Sequence, residues 1–106
     1  MPAKNPYPHE QFSGAISSMA TGLGSLQERI ADALNYRICH VKESDIPVAA
    51  RYDLYSMMEE IAKVEPKGDE GQNNAWALGL SDDGAIKWAG KIFEIYDIIT
   101  NDYLGS

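Results

Sequence analysis

Residues 12–30 read FSGAISSMATGLGSLQERI, and how this stretch folds decides the architecture. Apolar side chains recur at Phe12, Ile16, Met19, Leu23, Leu26 and Ile30. The steps of 4-3-4-3-4 line one face of an α-helix. The series continues at Leu34, Ile38 and Val41. Two observations argue for a break inside it. Gly22 and Gly24 each cost about 1 kcal/mol against alanine in a helix interior. Ser25 with Glu28 forms a capping box from which a new helix can start. Against a break, the apolar phase passes both glycines without a slip, whereas a loop usually resets it. The pattern therefore predicts one helix over about 9–42. Arg37, His40 and Lys42 near its end suit the negative pole of the helix dipole.

Such a helix is ~50 Å long at 1.5 Å per residue. A compact domain of this size has a radius of gyration of only ~13 Å. The rod overhangs its neighbours, and its apolar stripe needs cover. A second copy is the simplest cover, so the expected partner is another chain in a two-fold homodimer. The expected interface is Phe12, Ile16, Met19 and Leu23, with the small residues Gly14, Ser18 and Gly22 at four-residue spacing to admit a neighbouring backbone.

A second helix is expected over 46–64, opening at Ser44-Asp45-Ile46-Pro47, a cap candidate followed by proline in the first turn. Its stripe is Ile46, Ala50, Leu54, Met57, Met58, Ile61 and Val64, and Glu59 pairs with Lys63 one turn on. Residues 65–73 are a loop by composition. Residues 74–80 read either as a short helix or as an ordered loop whose Trp76 plugs the core. Ser81-Asp82-Asp83 then caps a last helix over 82–103. Its stripe is Ile86, Ala89, Phe93, Tyr96, Ile99 and Tyr103, widened by Ile92 and Ile95. No segment alternates in the manner of a strand. The fold class is thus all-α, a bundle of three long helices with a short fourth. Residues 1–8, with three prolines, form an arm, and 9–106 one domain.

Sixteen acidic residues oppose nine basic ones, for a net charge of -7. This excludes binding to nucleic-acid backbones and anionic membranes as a first expectation. It leaves a partner with a basic surface. Cys39 is alone, so no internal disulfide is expected. The first eleven residues lack the apolar run of a signal peptide, and the default compartment is the cytoplasm.

No Cys pair, HExxH, phosphate loop or GxSxG is present. His9 and His40 have no ligand at metal-binding spacing, and Cys39 and His40 are adjacent and so point apart on a helix. Four carboxylates make the best chemical candidate: Glu59 and Glu60 on the second helix, and Glu94 and Asp97, three apart, on the last. Hard cations take such oxygens, and facing helices of a bundle can supply them. The Glu94-x-x-Asp97 half resembles the all-α nucleotide pyrophosphatases, but Lys63 and Val64 stand where a further Glu belongs. That resemblance implies a Mg²⁺-dependent enzyme as the alternative. The principal expectation is a non-catalytic protein acting through protein–protein interaction (an adaptor, regulator or inhibitor), with no cofactor. Tyr52, Tyr55, Met57, Met58 and Trp88 are side chains that suit either an interface or the closing of the core.

Overall fold

The structure is a computed structural model that describes residues 5–66 and 68–105. The described residues form five α-helices: α1 (Tyr7–Thr21), α2 (Leu26–Tyr36), α3 (Val48–Ala62), α4 (Gly71–Leu78) and α5 (Asp82–Leu104). Two 3-10 turns, Ile38–His40 and Glu43–Asp45, link α2 to α3. Among the described residues there is no strand. Among the described residues no helix is long and apolar enough to cross a membrane.

The continuous first helix is corrected: the chain turns at Gly22–Ser25. Gly24 takes φ +96°, a left-handed value that disfavours any side chain. Ser25 then starts α2 with a complete capping box. Its hydroxyl accepts from the Glu28 backbone N–H at 3.1 Å, and Glu28 Oε1 accepts from the Ser25 N–H at 3.3 Å. The apolar phase survives because the break is four residues long, close to the 3.6 of one turn. Replacing Ser25 by alanine removes the cap and is expected to cost about 1 kcal/mol in urea unfolding.

After the turn α2 runs back along α1. Arg29 Nη1 donates to the Met19 carbonyl at 2.6 Å. Two of the small residues, Gly14 and Gly22, lie against α2 within this hairpin. A Cβ on Gly14 would stand 2.5 Å from Arg37 Nε, and one on Gly22 would stand 3.1 Å from Arg29 Cγ. Both arginines come from α2 and the residue that caps its end, and they lie where a side chain would project. The overlong rod that motivated the homodimer is therefore absent from the chain.

Phe12, Ala15 and Met19 on α1 and Ile30, Ala31, Ala33 and Leu34 on α2 are buried. They pack with Ala50, Leu54, Met57 and Ile61 of α3 and with Ala85, Trp88, Ile92, Ile95 and Ile99 of α5 in one core. Helix α5 lies against α1, α2 and α3, while α4 packs on α2 and α3. Helices α3 and α5 are antiparallel. Lys91 Nζ meets Asp53 Oδ1 at 3.3 Å near the middle of both, and Asp45 and Pro47 share a small cavity with Ile99 and Tyr103.

The second and last helices keep their expected positions to within two residues. The short helix overlaps the expected 74–80 but starts three residues earlier, at the end of the segment read as loop. Gln72 is placed there to donate from Nε2 to the Ala62 and Val64 carbonyls, at 3.3 and 3.2 Å, at the open end of α3. Trp76 plugs the core edge-on against Trp88, with ring centroids 5.4 Å apart. On α5 the buried face is rotated from the expected one: Ala85 and Trp88 point inward and Ile86 and Phe93 outward.

The proposed N-terminal arm is shorter than expected. Tyr7 and Pro8 already belong to α1, and Pro8 is buried. His9 stacks on Tyr103 at 5.1 Å and on Tyr96 at 6.1 Å, which ties the first turn of α1 to the end of α5. Of the remaining arm residues Asn5 and Pro6 precede α1, and residues 1–4 lie outside the described residues.

Candidate functional site

A groove of about 320 Å³ lies beside α3. Helix α3 contributes Leu54, Met57, Met58, Ile61 and Ala62. Leu34 comes from α2, Ile38 and Cys39 from the first 3-10 turn, and Val41 from the segment that follows. Gln72 and Asn73 of α4 supply the polar end. The groove exists because α2 stops at Tyr36. Had the helix continued, Ile38 and Val41 would have lain on its stripe. The 3-10 turns instead swing these side chains toward α3.

The polar end is fixed by side-chain amides. Asn35 Nδ2 donates to Asn74 Oδ1 at 2.7 Å, and Asn73 Nδ2 donates to Asn35 Oδ1 at 3.1 Å. The Cys39 thiol, exposed at the lip, donates to the Asn35 carbonyl at 3.1 Å. On the open side Met58 and Tyr55 are each 47% exposed. Met58 lines the groove, and Tyr55 stands three residues before it on α3. A thioether adapts its shape to whatever packs on it, and tyrosine combines a large apolar ring with a polar tip. The size falls in the range of ligand and anchor pockets. The lining holds no carboxylate, histidine or lysine, so the site is suited to packing and not to proton transfer.

The four candidate metal ligands are not brought together. Glu59 is exposed. Glu60 Oε1 accepts from Trp76 Nε1 at 3.2 Å, a structural role. Glu94 and Asp97 are exposed on α5. From the Asp53–Lys91 contact, Glu60 lies seven residues along α3 in one direction and Glu94 three along α5 in the other. Antiparallel packing thus separates the pairs by ~15 Å along the bundle. Among the described residues, no group of three or more His, Cys, Asp or Glu side chains is placed to hold a metal ion.

The expected interface residues also separate. Phe12 and Met19 are core, Ile16 is half-buried against it, and Leu23 is 93% exposed at the tip of the hairpin. Of the five aromatic and thioether side chains singled out in the sequence, Met57 and Trp88 are buried, while Tyr52, Tyr55 and Met58 are exposed. Leu34, Ile38 and Val41 carried a helical signal only, and nothing in their spacing marks them as one wall of a groove. No protein family, curated protein or solved structure matches this chain.

Proposed function

We propose that this protein is a non-catalytic binding module, an adaptor, regulator or inhibitor, whose groove beside α3 seats an amphipathic helix of a partner protein. The observation that carries this reading is the lining: a concavity large enough for apolar anchors, walled by aliphatic and thioether groups and free of titratable side chains other than the Cys39 thiol at its lip. Helix-in-groove recognition inserts apolar anchors at i, i+3 or i+4 and i+7 into such a surface. The anchors enter between Met58 and Val41, and Tyr55 covers them from the rim. The charge of -7 selects the partner's other face. A helix with basic residues around its apolar stripe is steered toward an acidic protein and held in register on it.

The test is selection from a displayed library of amphipathic helical peptides, followed by calorimetry on the winners. The expected winners are rich in Lys and Arg. Their affinity is expected to fall at least tenfold on Met58→Glu, since central interface residues are worth upward of ~1.4 kcal/mol. Ile86→Glu, on the exposed face of α5, is the control and should leave affinity unchanged. A failure to select any binder, or winners indifferent to Met58→Glu, would count against the groove.

A further inference from the structure

We infer that Gly22–Ser25 is a hinge at which two copies of this chain exchange α1. In the exchanged dimer each hinge straightens, so that α1 and α2 become one helix from Tyr7 to Tyr36. The α1 of each copy then packs on the α2 and α5 of the other. Three observations meet at this point.

The first is the phase of the apolar residues. Met19, Leu23, Leu26 and Ile30 remain on one helical face if the hinge is helical, although the hairpin has no use for that continuity. Leu23 is 93% exposed at the hairpin tip. In the straight form it falls on the same stripe as Met19 and Ile30. The two-fold axis of an exchanged pair passes beside the hinge, so the two copies of Leu23 cover each other.

The second is the position of α1. It joins the rest of the fold through the hinge and is anchored by apolar side chains, Phe12, Ala15 and Met19, that fit the same surface whichever copy supplies them. Exchange of an identical element reproduces the hairpin's contacts between chains and needs no new interface.

The third is what keeps the hinge bent. A glycine weighs against a helical position about fivefold relative to alanine, and the hinge contains two. The bent form is favoured further by Gly24 at φ +96° and by the Ser25–Glu28 box. At Gly22 a Cβ would stand 2.5 Å from the Ser18 carbonyl oxygen in the bent form. Alanine at both positions therefore disfavours the hairpin and favours the rod at once. Four such positions per dimer, at about fivefold each, strengthen association by two to three orders of magnitude.

The test is the double variant Gly22→Ala/Gly24→Ala, weighed by sedimentation equilibrium beside the unaltered chain. The expected result is a folded dimer of the variant at micromolar concentrations, with the unaltered chain still mostly monomeric there and reaching the same dimer only at concentrations about two to three orders of magnitude higher. Adding Leu23→Glu should return it to monomer, because two carboxylates would meet near the axis. Leu23→Glu alone should leave the unaltered chain as it was. A double variant that is folded and monomeric overturns the inference, as does a dimer indifferent to Leu23→Glu. If the double variant does not fold, each single variant is weighed over a hundredfold range of concentration. A dimer fraction rising with concentration supports exchange, and a constant monomer mass overturns it.

Discussion

Replacing Trp88 by alanine is expected to destabilise the protein by about 3–5 kcal/mol and to lower Tm by roughly 20 °C. Trp88 is 2% exposed and sits where α3, α4 and α5 meet. Its ring receives the edge of Trp76, with an interplanar angle of 72°, an arrangement favoured by the aromatic quadrupoles. The ammonium groups of Lys87 and Lys91 stand 5.3 and 5.8 Å from its centroid, and Lys91 also pairs with Asp53. Alanine removes the ring from all of these neighbours together and leaves a cavity that the rigid helices cannot close. It also frees Trp76, whose indole N–H is bonded to Glu60. Trp88→Phe keeps most of the volume and should cost less than half as much. Urea unfolding followed by circular dichroism measures both variants. A loss below 1 kcal/mol for the alanine variant would mean that the three helices do not meet on this residue.

The second large effect separates two residues that share one stripe in the sequence. Phe12→Ala is expected to cost about 3–5 kcal/mol, and Leu23→Ala to lie within ~0.5 kcal/mol of the unaltered chain. Phe12 is fully buried against α2 and α5, whereas Leu23 projects from the turn. A straight helix covered by a neighbour would give comparable losses at both positions. Unfolding curves of the two variants at one protein concentration distinguish these outcomes.

Where local chemistry decides, the sequence is legible. Ser81 accepts from the Gly84 N–H at 3.0 Å and starts α5 at Asp82, as its cap signature predicts. Pro47 stands immediately before α3, and the helical stretch ends just short of Glu65-Pro66. The break at Gly22 is not legible, because a turn of nearly one helical repeat leaves the hydrophobic pattern intact. The break is encoded in features with little apolar signal, two glycines and a capping box. The face of α5 is misread for a different reason. Ile86, Ala89, Ile92, Phe93, Ile95 and Tyr96 spread apolar character around most of the helix. The pattern fixes no single inward direction. Packing against α1, α2 and α3 does, and it chooses Ala85 and Trp88 over Ile86 and Phe93.

The groove is the least legible feature. Its walls come from α2, α3, α4 and the 3-10 turns, and its shape depends on where α2 stops. Met58 and Tyr55 were recognisable as side chains suited to an interface, but their companions Ile38 and Val41 were not. The acidic residues illustrate the converse. Glu59, Glu60, Glu94 and Asp97 form two suggestive pairs in the sequence, and the antiparallel course of α3 and α5 holds the pairs apart.

The account rests on α1 and α2 lying side by side in one chain. Spin labels at Glu10→Cys and Tyr36→Cys, with Cys39→Ser to remove the native thiol, test it most directly. All three native side chains are exposed, so labelling leaves the core intact. Labelled chains are diluted into unlabelled ones so that only distances within a chain are read by double electron–electron resonance. The hairpin predicts a separation below about 25 Å, since Arg37 lies against Gly14. A separation near 40 Å, the length of 26 residues of continuous helix, would contradict it.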